Sequence, residues 1–103
     1  MKKPITHKFN AKRVDIDGFK FPSKKEGAYY NDLKLLQSCG ELLFFLRQVP
    51  IYLPGGVRLV IDFVEFWADG RVEFTDVKGF NTPMGKMKIR QVEALYPFTI
   101  GLK

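Results

Sequence analysis

Apolar and polar residues alternate along Val14-Asp15-Ile16-Asp17-Gly18-Phe19-Lys20-Phe21, and the Asp-Gly pair at the centre predicts a short β-hairpin. Pro22-Ser23-Lys24-Lys25-Glu26 then opens a helix, with Ser23 as cap and Glu26 three positions on, as in a capping box. That helix is expected to run to about Cys39, where Gly40 supplies the stop. Leu42 to Leu53 reads as a buried strand interrupted by Arg47 and Gln48 and ended by Pro54-Gly55-Gly56. Two further strands, Val57 to Trp67 and Arg71 to Lys78, are joined by Ala68-Asp69-Gly70. Gly79 to Asn81 is a loop. Thr82 caps a second helix with Pro83 at its first position, extending to about Tyr96, and Phe98 to Leu102 adds a last short strand. Helix, three strands, helix, strand is an α/β order, with a sheet flanked by helices and a hairpin in front.

Composition narrows the chemistry. At 103 residues, 46% hydrophobic, the chain suits one domain spanning residues 1–103 with a single sizeable core. No apolar run approaches the ~20 residues of a membrane span and the first residues carry no apolar signal core, so a soluble, cytoplasmic protein without membrane association is expected. The only cysteine, Cys39, is read as structure or surface, near a helix end more often a small core residue than a reactive thiol, and His7 is the only histidine, which leaves no ligand set for zinc. A nucleophilic triad would need His7, which lies in a basic stretch. Catalysis is therefore left to carboxylates, lysines and a hard cation.

The net charge of +6 sits at one end. Eight Lys or Arg against two Asp fill the first 25 residues, and the remainder balances nine against nine. A basic arm at residues 1–13, continued by Lys20, Lys24 and Lys25, is either a footprint for a polyanion, nucleic acid first among them, or a solvated tail.

Two aspartates interrupt apolar strands: Asp62 within Leu59-Val60-Ile61-Asp62-Phe63-Val64, and Asp76 within Phe74-Thr75-Asp76-Val77-Lys78. Buried there, each needs a partner or a cation. Their relation depends on one turn. A two-residue Asp69-Gly70 loop pairs Ala68 with Arg71 and points the aspartates to opposite sides of the sheet. A three-residue Ala68-Asp69-Gly70 loop with left-handed Gly70 pairs Trp67 with Arg71 and sets Asp62 opposite Asp76, where like charges repel unless a cation sits between them. Trp67 beside this turn is read as an exposed aromatic available to a protein partner. Glu26, in the first turn of its helix with Tyr29, Tyr30 and Leu33 on its face, either points to the sheet as a third carboxylate or only completes the capping box. Lys78 either takes part in chemistry or pairs with Asp76.

Three carboxylates and a lysine suit phosphodiester hydrolysis. Oxygen ligands select Mg²⁺ or Mn²⁺, which activates water and neutralises charge developing on phosphate, while a lysine beside them orients the water or stabilises the transition state.

Helix-borne Glu26, Asp62 in a strand, Asp76-Val77-Lys78 in its neighbour and a following helix together resemble the PD-(D/E)XK nuclease superfamily. The segments Asp17 to Glu26, Val57 to Phe63, Asp76-Val77-Lys78-Gly79-Phe80 and Glu93-Ala94-Leu95-Tyr96-Pro97 look like a family of small phage-encoded proteins often described only as a domain of unknown function. The resemblance implies a restriction-endonuclease-like mixed sheet, a Mg²⁺-dependent endonuclease site with Mn²⁺ able to substitute, Asp62, Asp76 and Glu26 as metal ligands and Lys78 as the motif lysine. Ile61 stands where the name-giving proline would be, and Asp76 replaces the more frequent Glu. Similarity to the small Holliday-junction resolvases implies branched DNA as substrate and a homodimer. Lys24 and Lys25 before the first helix, and Lys86, Lys88, Arg90 and Gln91 on the second, are candidate DNA contacts.

Overall fold

Asp17 and Gly18 both adopt positive φ, 52° and 81°, the conformation a tight hairpin turn demands and that Asp and Gly tolerate best. They join β1 (Val14–Ile16) to β2 (Phe19–Phe21), with Ile16 opposite Phe19 and Val14 opposite Phe21. The computed structural model describes residues 13–77 and 82–103, so His7 and most of the basic arm lie outside the described residues. Asp17 also ties the hairpin down. Its carboxylate accepts the Tyr30 hydroxyl at 2.9 Å and pairs with Lys34, and the Lys34 hydrogen bond, followed by that of Tyr30, holds its pKa below the usual value.

Both residues belong to α1 (Lys24–Ser38). Ser23 Oγ accepts the Glu26 N–H at 3.2 Å, as the cap pattern predicts. At the other end Gly40, at φ 85°, donates to Gln37 O and Glu41 N–H donates to Leu36 O, the paired bonds of a Schellman stop. Cys39 is exposed at this C-cap, which places it on the surface rather than in the core. The inward face of α1 carries Glu26, Gly27, Tyr30 and Leu33. A Cβ on Gly27 would come within 2.7 Å of Val14 Cγ2 and 3.1 Å of Ile16 Cδ1, so glycine is what lets the hairpin rest on the helix. Phe21, Tyr30, Leu33, Leu42, Phe63 and Val77 form the core beneath.

The main sheet runs β3 (Leu42–Leu53), β4 (Val57–Trp67), β5 (Val72–Asp76), β6 (Ile100–Leu102), neighbours in that order. The first three strands are antiparallel, and β6 joins β5 in parallel after a crossover through α2 (Pro83–Leu95). Thr82 Oγ1 accepts the Gly85 N–H at 3.0 Å to cap α2 behind Pro83. Leu53, Leu59, Ile61, Val92 and Ile100 make a second core. The result is the mixed α/β sheet with helices and an N-terminal hairpin that the pattern predicts.

Burial differs sharply between neighbouring strands. Residues Ile61 to Glu65 of β4 are all buried, so both faces are covered there. By contrast β3, expected as a buried strand, is an edge strand that alternates half-buried with exposed positions and leaves Leu43, Phe44, Leu46 and Tyr52 in solvent. Its length and apolar content resemble a central strand, but among the described residues only one side of it is paired. Trp67 is half-buried against the first core with Arg71 over its ring at 5.1 Å, rather than the open aromatic its place beside a turn suggests.

Candidate functional site

The turn after β4 takes the three-residue form. Trp67 N–H donates to Arg71 O at 2.9 Å, Gly70 N–H donates to Trp67 O at 3.0 Å, and Gly70 sits at φ 96°. Asp69 stabilises it by accepting both the backbone N–H and the Nε of Arg71, and these bonds depress its pKa. From Phe66 opposite Val72 the register runs to Phe63 opposite Thr75, and its next step sets Asp62 opposite Asp76. Both are buried, 6% and 4% exposed. Asp62 Oδ2 accepts the Val77 N–H at 3.0 Å, which fixes the carboxylate against the end of β5.

Glu26 completes the group by dividing its roles. Its backbone N–H takes the Ser23 cap, while its fully buried side chain is directed to the sheet, where Oε2 lies 3.4 Å from Gln48 Nε2. The same nitrogen lies 3.3 Å from Asp62 Oδ1. Gln48 thus joins the helix carboxylate to the strand carboxylate. Arg47 opposite Phe63 and Val49 opposite Ile61 bracket it, placing it across from Asp62. Read from the sequence it is only a polar interruption of β3, and the β3–β4 register is the signal that reveals it.

Lys78 lies outside the described residues, as do Gly79, Phe80 and Asn81. Lys24 and Lys25 are exposed in the first turn of α1, and Lys86, Arg90 and Gln91 are exposed on α2. Lys88 is half-buried and lines, with Arg58, Thr82 and Gly85, a cavity of about 380 Å³ at the start of α2. Among the described residues, no three His, Cys, Asp or Glu side chains converge on one point as a closed cation cage would. Glu26 and Asp62 stand one amide group apart instead.

A further carboxylate escapes the sequence reading. Glu65 is fully buried, accepts the Tyr29 hydroxyl at 2.6 Å through Oε2, and has no hydrogen-bond partner for Oε1 among the described residues. Burial raises its pKa, and the Tyr29 hydrogen bond partly opposes the rise. The same burial, with Glu65 beside it, pushes the Tyr29 phenol well above its usual range. This pair pins α1 to β4 one helical turn from Glu26.

Fold and site together define a small α/β protein with a buried pair of strand aspartates joined to a helix glutamate through one amide. A family model described as Protein of unknown function (DUF1064) matches residues 6–100, and the chain belongs to that family. No curated protein and no solved structure matches it. No helix among the described residues is long and apolar enough to cross a membrane.

Proposed function

We propose that this chain is a divalent-cation-dependent endodeoxyribonuclease of the PD-(D/E)XK superfamily, acting on branched DNA. The observation that carries the reading is the burial of Asp62 and Asp76 on adjoining strands, each one residue past the Phe63–Thr75 pair of the β4–β5 register, so that the register carried one step further would set them across from each other. Two carboxylates facing each other across a ladder repel, and burial sharpens that repulsion, so the arrangement favours a counter-charge. In donor type the residues suit a hard cation: Asp62, Asp76 and Glu26 offer only carboxylate oxygens, the ligands Mg²⁺ and Mn²⁺ prefer, and Mg²⁺ is commonly held by one or two of them with waters completing its shell. Held by these residues, such a cation would lower the pKa of a bound water and neutralise charge on the phosphate.

The chain's own residues supply the rest. Asp62 is held rigid by the Val77 N–H, and Glu26 is delivered by a capped helix end, which keeps the carboxylates preorganised. Lys78, two residues beyond Asp76, is the lysine that orients water or stabilises the transition state in this reading. Lys24, Lys25, Lys86, Lys88, Arg90 and Gln91 are the candidate phosphate contacts, with the basic arm adding long-range attraction. A homodimer matches a substrate with two strands to cut, and the exposed Leu43, Phe44 and Leu46 are apolar surface that pairing of two copies would cover.

The test is incubation of labelled four-way junction, flap, nicked and linear duplex DNA with Mg²⁺, comparing wild type with Asp76→Asn and Lys78→Ala. Cutting of the junction by wild type and loss in both variants is expected. No cutting of any substrate overturns the nuclease reading, and cutting of linear duplex alone removes branched DNA while leaving the chemistry.

A further inference from the structure

We infer that Gln48 is a positioning residue of the acidic site, its side-chain amide occupying the place between Glu26 and Asp62 that a divalent cation takes when bound; the inference rests on the cation-dependent reading above. A primary amide has two N–H donors, and here one nitrogen faces Glu26 Oε2 at 3.4 Å and Asp62 Oδ1 at 3.3 Å. Those are the oxygens a cation would need. Both contacts are long for N–H···O bonds, so they hold the carboxylates weakly and release them readily.

The backbone bears the same mark. Gln48 sits at φ 53°, a left-handed conformation uncommon for a residue with a side chain and found here inside a strand. Pairing does not require it, because the register is unchanged from Arg47 opposite Phe63 to Val49 opposite Ile61 and no extra residue is accommodated. Its neighbours on the alternating pattern, Leu46 and Pro50, are exposed. Gln48 itself is largely exposed, yet its amide reaches two buried carboxylates. The strained backbone accompanies a side chain aimed inward from an outward position, with solvent open to it on withdrawal.

The experiment uses Mg²⁺ as the probe, with calorimetric titration of wild type, Gln48→Ala and Gln48→Gly, and NMR of the Gln48 side-chain NH₂ group in wild type. Glycine is included because it adopts the left-handed backbone without strain, so loss of the amide is separated from misfolding. On Mg²⁺ addition the NH₂ signals are expected to move to the position of a solvated amide. Both variants are expected to bind Mg²⁺ tighter by about three- to tenfold, since two weak competing hydrogen bonds are gone. Binding by the variants alone also supports the inference. Wild-type binding with unmoved NH₂ signals, or equal or weaker binding by the variants, overturns it and leaves the nuclease reading standing. Absence of Mg²⁺ binding in all three proteins overturns both.

Discussion

Asp62, next in the chain to Phe63 and its partner Thr75, accepts the Val77 backbone N–H at 3.0 Å, one residue beyond Asp76. The aspartate is therefore a structural acceptor as well as a charge, and two substitutions separate these parts. Asp62→Asn keeps an oxygen for Val77 and should retain the fold, with cation binding and DNA cleavage lost. Asp62→Ala strands a buried N–H and should destabilise by about 1–3 kcal/mol. Thermal unfolding of both, beside Mn²⁺ titration, tests the division. Equal melting temperatures for the two variants would refute a structural share for Asp62.

Deleting Ala68 converts the loop after β4 into a two-residue Asp69-Gly70 turn. Ladder geometry then forces either a register slip that turns one strand over or loss of the hairpin, because side chains alternate faces at every step. The expected outcome is a protein that neither binds Mn²⁺ nor cuts DNA and that melts well below wild type. Substituting Ala68→Ser, which keeps loop length, should leave all three properties near wild type. A deletion variant with intact cation binding would detach the site from this register.

Glu65 gives the fold a pH dependence opposite in sense to that of Asp17. Burial raises the Glu65 pKa above its ordinary 4.5, so the folded protein retains a proton that the unfolded chain releases. The stability this contributes is complete below pH 4.5 and is lost as pH rises through the folded-state value. Asp17 has a lowered pKa, and its contribution is present above 3.8 and lost as the pH falls through its folded-state value. Melting temperatures from pH 4.5 upward should thus decline for wild type by a few degrees more than for Glu65→Gln, which titrates nowhere in this range. Parallel curves for the two proteins would remove Glu65 as the cause.

Much of the fold was legible because its punctuation is local. Ser23, Gly40, Thr82 and Pro83 act within a few residues of themselves, and the structure places their helix ends where the pattern does. The carboxylate hairpin was legible only as a choice between two turns, since two and three residues are both common hairpin lengths and the decision rests on how Gly70 and Asp69 share the bend. Glu26 was ambiguous for a different reason: its backbone N–H is capped by Ser23 while its side chain turns inward, and one residue name carries both signals. Gln48 and Glu65 were beyond reach. Each matters through a partner on another element, Asp62 and Tyr29, and a register between distant segments has no local signature.

The left-handed step at Gln48 has a consequence for the open border of the sheet. Among the described residues the outer rim of β3 has no strand beside it, the kind of border along which chains join into extended sheets. Pro50 has no N–H to contribute to that row, and the left-handed residue two positions earlier interrupts its extended run. The border is thereby a poor template for the lateral addition of another strand.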